Sequence, residues 1–154
     1  MHYKNLTDLA KKVHADNAAK GFYDEEERLT TNQALIFEND DQFFFVRNAM
    51  INQKLMLICT EVAEACEAVR KNRFFSVEAD RTIAHYLQDA EMATSQQYKA
   101  SYEALVKDKF EAELAGTLIR VLDLCGRMNI DIESHVQAEL KYNRTRPYKH
   151  NKNC

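Results

Sequence analysis

Leu55-Met56-Leu57-Ile58-Cys59-Thr60-Glu61-Val62-Ala63-Glu64-Ala65-Cys66-Glu67-Ala68-Val69-Arg70 is the stretch that decides the fold. It contains no glycine or proline, and its apolar residues recur at three- and four-residue intervals, which is the spacing of a helix with one buried face. Turning about 100° per residue from Glu61, residues Leu55, Ile58, Cys59, Val62, Ala65, Cys66 and Val69 fill an arc of roughly 40–160°. Glu61 is then expected at the edge of that apolar arc, Glu64 one step further out, and Glu67 beyond it toward water. Carboxylates three residues apart on a helix point the same way.

A second segment, Phe110 to Cys125, repeats this layout. Phe110, Leu114, Leu118, Val121, Cys125 and Met128 form its apolar arc, and Glu113 takes the edge position that Glu61 took. Gly116 stands where Glu64 stood, and Asp123 lies two turns further along the same stripe. Two such helices packed together would gather several acids around one point, which is what a hard divalent cation such as Mg²⁺ requires. Either acidic pair alone is also compatible with a solvated helix surface. A mid-helix glycine costs roughly 1 kcal/mol against alanine, so Gly116 calls for a packing or site reason.

The rest of the chain is expected to be all-α. It has 154 residues, 45% hydrophobic and 29% charged, a globular composition rather than a disordered one. Three glycines and one proline are few for turn-rich β architectures. A net charge of −3 gives no reason to expect a nucleic-acid polymer as partner. No apolar run approaches the roughly 20 residues needed to cross a bilayer, and no apolar signal core follows Met-His-Tyr-Lys-Asn. Cys59, Cys66, Cys125 and Cys154 include no closely spaced pair. The first three are expected as free thiols on apolar helix faces, and a reducing cytoplasm as the compartment.

One domain over residues 1–154 is expected. A helix over 4–20 should stop at Gly21, and Tyr23 to Asn32 reads as loop. Ala34 to Phe37 is ambiguous between a helical turn and a strand. Asp40 or Asp41 should cap a long helix reaching Arg70, with Phe43–Phe45 as core or subunit interface. Ser76 should cap the next helix, and Thr94 with Gln97 resembles a capping box opening one long helix to about Asn129. Residues 73–109 thus form an extended connection between the two acidic helices. Asp131 should cap a last helix, and Arg144 to Cys154 forms a basic tail in which Pro147 pushes Arg146 out of helical geometry.

The whole pattern resembles the MazG-like family of all-α nucleoside triphosphate pyrophosphohydrolases. The resemblance is carried by Asn17 to Glu25 with its Gly21-Phe22 turn, by Leu57 to Lys71, by Glu113 to Arg127, and by Tyr142-Asn143-Arg144-Thr145-Arg146-Pro147-Tyr148-Lys149-His150. It implies a helical bundle of the all-α NTP pyrophosphatase type, assembled as a homodimer or homotetramer. It further implies hydrolysis of a (deoxy)nucleoside triphosphate to a monophosphate and pyrophosphate. Mg²⁺, with Mn²⁺ as a substitute, would be held by Glu61, Glu64 and Glu113, with Asp123 as a supporting acid. Asn143, Arg146, Arg120 and Lys141 would meet the nucleotide. Arginine pairs well with phosphate oxygens, and Arg120 is open to a second role as the ion-pair partner that holds the acids in place.

The chain departs from the family pattern at two positions. Gly116 replaces an expected acid, and Glu139 replaces an expected lysine four residues before Asn143. Glu111 and Asp123 are candidates to make up part of the lost charge, and Lys141 part of the lost cation. These departures motivate an alternative in which the protein binds nucleotide or a partner protein without efficient turnover.

Overall fold

Asn5 opens the first helix, its side chain accepting a hydrogen bond from the Asp8 amide at 2.8 Å. The computed structural model describes residues 3–32, 36–87 and 96–147. Within them the helices are α1 (Leu6–Ala18), α2 (Asp24–Thr31), α3 (Asp40–Arg70), α4 (Val77–Leu87), α5 (Gln96–Leu105), α6 (Phe110–Arg127) and α7 (Ile132–Thr145). No strand occurs among the described residues, so the protein is all-α. None of these helices is long and apolar enough to cross a membrane.

Several boundaries follow the expected signals. Gly21 stands just beyond α1 at φ 82°, a left-handed conformation that glycine adopts without strain. Ser76 caps α4 by accepting from the Ala79 amide, and Asp131 caps α7 by accepting from the Ser134 amide. Arg146 is extended before Pro147, as expected of a residue that precedes proline.

Other boundaries differ. Residues 24–31 are helical rather than loop. Asp24, Glu25, Glu26 and Glu27 fill the first turn of α2, where negative charge is favoured by the helix dipole. The cap of α3 is Asn39, which accepts from the Gln42 amide, while the Gln42 side chain accepts from the Glu38 amide. The single helix expected up to Asn129 is two, because Asp108 takes a left-handed φ of 63° between α5 and α6. Asn129, at φ 52°, closes α6, with the Ile130 amide bonding back to the Cys125 carbonyl. Helix α7 continues through Thr145, so Arg144 is helical and not part of a tail. The ambiguous residues at 34 and 35, the Thr94 cap, Lys149, His150 and Cys154 lie outside the described residues.

The chain divides into two compact units, Met1–Val46 with Val121–Cys154, and Arg47–Arg120. In the first, Ala10, Leu122 and Cys125 form a buried cluster flanked by Leu9, Val13, Val121, Ile130 and Ile132. Burial pushes the Cys125 thiol pKa up. The starts of α1 and α7 cap one another. Glu133 accepts from the Leu6 amide, Thr7 accepts from the Glu133 amide, and Thr7 donates to Asp131 at 2.7 Å. Free helix-end donors are thereby satisfied across two elements.

In the unit Arg47–Arg120, α3 closes on Asn72 at φ 54°, with the Arg73 amide reaching the Ala68 carbonyl. Among the described residues of the connection 73–109, α4 and α5 pack together, and the rings of Tyr86, Tyr98 and Tyr102 meet in series, edge-on and tilted. The Phe110 amide bonds to the Arg73 carbonyl, and Glu111 accepts from the Phe75 amide at 3.0 Å. Glu111 therefore fixes the start of this connection.

The inward faces of the two acidic helices are not the expected ones. The less exposed positions of α3 in this unit include Ile51, Lys54, Ile58, Glu61, Ala65 and Ala68, whereas Leu55, Cys59, Val62, Cys66 and Val69 are exposed. On the first half of α6, Glu113, Gly116, Thr117 and Arg120 are sheltered while Leu114 and Leu118 are about half exposed. The sheltered face of α3 is turned by roughly 60–70° from its apolar arc and that of the first half of α6 by about 100°, whereas beyond Arg120 the expected Val121 and Cys125 do turn inward. The rotation turns the glutamates inward and leaves much of the apolar stripes in solvent. Cys59 and Cys66, expected to be covered, are exposed for the same reason.

Candidate metal centre

Small residues make the centre possible. Ala65 and Ala68 on α3 are buried, and Gly116 on α6 carries no side chain, so α3 and α6 leave space between them for carboxylates. Glu61, Glu64 and Glu113 fill it, each offering an oxygen within 4.8 Å of the others. Glu61 and Glu113 are partly sheltered and Glu64 is exposed. Three hard oxygen donors converging at this spacing suit Mg²⁺ or Mn²⁺.

The surroundings of Glu113 act on its charge. The pKa of Glu113 is raised, first by burial, then by the nearby carboxylates of Glu64, Glu61 and Asp108, and by a hydrogen bond with Glu64. Like charges held together in a partly desolvated site resist full ionisation. A bound cation would relieve that repulsion, so the donor set fits the ion electrostatically as well as chemically.

Arg120 supplies one internal counter-charge. Its Nε donates to Glu61 Oε1 at 2.5 Å. The other oxygen of that carboxylate, Oε2, lies over Gly116 in the space where a Cβ would stand. A cavity of about 290 Å³ opens beside the acids, lined also by Tyr102, Lys107, Asp108 and Ile119. That volume is near the lower end of small-ligand pockets, about 300–1,000 Å³. The Tyr102 phenol pKa is raised by burial, by Tyr98 and by Glu113.

Sequence reasoning missed Tyr102, Lys107 and Asp108. Lys107 and Asp108 belong to the turn that splits the expected long helix, and no local motif marks them.

The remaining expected residues lie in the other unit. Asp123 stands 3.3 Å from His14 Nδ1 and engages the buried Tyr23 hydroxyl. Burial and these carboxylate neighbours raise the Tyr23 pKa. The Arg127 guanidinium lies over the Tyr23 ring and donates to Glu26 at 2.6 Å. Asp123 thus belongs to a network joining α1, α6 and the residue that opens α2, and it is not among the three converging acids. Asn143 donates to Glu139 at 3.2 Å and accepts from Arg146 at 3.3 Å, a ladder along the end of α7. Lys141 is exposed.

No family model, no curated protein and no solved structure matches this chain.

Proposed function

We propose that the protein is a Mg²⁺-dependent nucleoside triphosphate pyrophosphohydrolase of the MazG-like, all-α type, converting a (deoxy)nucleoside triphosphate and water to a monophosphate and pyrophosphate. The observation that carries this reading is the convergence of Glu61, Glu64 and Glu113. The order of motifs along the sequence, from Glu61 to the Asn143-Arg146-Pro147 signature, supports it.

Glu61, Glu64 and Glu113 would hold the cation, with Mn²⁺ able to replace Mg²⁺. When bound, the ion would neutralise phosphate oxygens and lower the pKa of an attacking water. A carboxylate of this cluster, from a position not engaged by the ion, would accept the proton from that water. Lys107, at the cavity wall, supplies positive charge for a phosphate. Arg120 holds Glu61 in place. Asn143, Arg146 and Lys141 are assigned to the nucleotide on the resemblance alone. Assembly as a homodimer or homotetramer is part of the proposal, supported by the exposed apolar stripes of α3 and α6.

A second reading, binding without efficient turnover, is favoured by one observation. Glu139 occupies the amide of Asn143 where the resemblance calls for a lysine.

Pyrophosphate release from a panel of nucleoside triphosphates with Mg²⁺ or Mn²⁺ tests the proposal. Turnover by the wild type and its loss in Glu61→Gln are expected. Wild-type protein that binds nucleotide but releases no pyrophosphate supports the second reading, and protein that does neither overturns both.

A further inference from the structure

Position 116 looks like a loss, because an acid is expected there and glycine stands instead. The geometry points to a different role: we infer that Gly116 and Arg120 together form a seat for the Glu61 carboxylate, so that Glu61, reaching across from α3, fills the place of the missing acid. Two observations meet on this one carboxylate. Oε1 is held by Arg120 at 2.5 Å. Oε2 occupies the space a Cβ at position 116 would claim, and Glu61 Cδ would lie only 3.2 Å from that Cβ.

The two halves of the seat are one helical turn apart on α6, at positions i and i+4, so they face the same way. Arg120 alone would leave the second oxygen free to swing. Gly116 alone would leave the space but nothing to pull a carboxylate into it. With both present, Glu61 is fixed although its side chain has three rotatable bonds. Glycine at 116 therefore provides the space in which this carboxylate sits. An acid placed there would evict the one already present.

The functional consequence rests on the proposed cation reading, but the seat itself does not. Two experiments keep the two apart. The first is thermal melting in excess chelator, with Gly116→Ala introduced into the wild type, Glu61→Ala and Arg120→Gln. Removing a mid-helix glycine should raise the melting temperature by about 3 °C where nothing occupies the Cβ space. That rise is expected in the Glu61→Ala background, and in Arg120→Gln, where Glu61 is free to move aside. In the wild type the rise should vanish or reverse. Equal rises in all three backgrounds overturn the seat. Should Glu61→Ala fail to fold, Arg120→Gln provides the same comparison.

The second experiment is Mn²⁺ binding followed by electron paramagnetic resonance without nucleotide. Gly116→Asp, despite its added charge, should bind Mn²⁺ about tenfold or more weakly than wild type, the loss typical of disturbing a residue that orients a ligand. Tighter binding by Gly116→Asp overturns the inference. If wild type binds no Mn²⁺ while the melting pattern holds, the cation reading falls and the seat stands.

Discussion

The carboxylate of Glu113 shares a hydrogen bond with that of Glu64, and that contact, after burial, helps to raise the pKa of Glu113. Glu113→Gln should therefore stabilise the metal-free protein at neutral pH. The folded-state pKa of Glu113 is raised, so its contribution to stability is complete below the ordinary glutamate pKa. It is lost as pH rises through the raised value. The variant's advantage should be largest above that value and disappear in acid. A gain of about 1–2 °C in melting temperature at neutral pH is expected, on the scale of relieving a like-charge pair. Added Mg²⁺ should reverse the order, stabilising wild type and leaving Glu113→Gln nearly unmoved. Melting curves with chelator and with Mg²⁺, at several pH values, measure both effects.

Asp123 gives the second prediction. Its carboxylate interacts with the Tyr23 hydroxyl and helps to raise that phenol's pKa, and Tyr23 is only 1% exposed. Asp123→Ala removes the acid that interacts with that buried hydroxyl and also the partner of His14. A loss of about 2–3 kcal/mol in denaturant-derived stability is expected. Tyr23→Phe removes the buried donor itself and should cost less, about 1 kcal/mol. If Asp123 acts through this network, Mn²⁺ affinity of folded Asp123→Asn should stay within a few-fold of wild type. A loss as large as that of Glu61→Gln would instead make Asp123 a ligand.

The third prediction concerns Gly126. A Cβ there would strike the Ala10 carbonyl and His14 Cβ of α1. The first obstacle is backbone, which does not move aside as the end of a glutamate does. Gly126→Ala should therefore destabilise by about 1–3 kcal/mol, the range for overpacking a core, despite alanine's higher helix propensity. Equilibrium unfolding in urea measures it. Set beside Gly116→Ala, it separates a glycine that lets two helices approach from one that makes room for a carboxylate.

These glycines mark where the sequence stops being legible. Periodicity located α3 and α6 and made Glu61 and Glu64 neighbours, because acids three apart share a face whatever the tertiary structure; Glu113 joined them only through its matching position on the second helix. Periodicity misplaces the inward face of α3 and of the first half of α6, while Val121 and Cys125 turn inward as their arc suggests. An apolar arc reports where hydrophobic surface lies, and here much of that surface is not covered by the described residues of the chain. Glu61 faces inward because Ala65, Ala68 and Gly116 are small and Arg120 supplies a counter-charge, a combination spread over two helices. The turn at Asp108 was hidden for a different reason. Lys107-Asp108-Lys109 contains neither glycine nor proline, so nothing local announces a left-handed residue between α5 and α6. Helix α2 reads as loop because its charged run carries almost no apolar period, although four acids in a first turn are a helix-start signal in their own right.

The exposed stripe of α3 leads to the last prediction. Leu55 is 44% exposed, Val62 46% and Val69 48%, with Cys59 and Cys66 exposed between them. A single helix face with this much apolar surface favours association. If a second copy covers it, as the proposed homodimer or homotetramer requires, Val62→Asp places a charge in that contact. Light scattering should then show wild type at two or four times the mass of one chain and Val62→Asp shifted toward the monomer. Thiol labelling gives an independent reading. Cys59 and Cys66 should react slowly in the assembled wild type and quickly in Val62→Asp, while Cys125, buried within its unit and with its thiol pKa raised, should stay slow in both. Fast labelling of Cys59 and Cys66 in wild type at high protein concentration would leave this face without a partner copy, and any assembly would have to form through another surface.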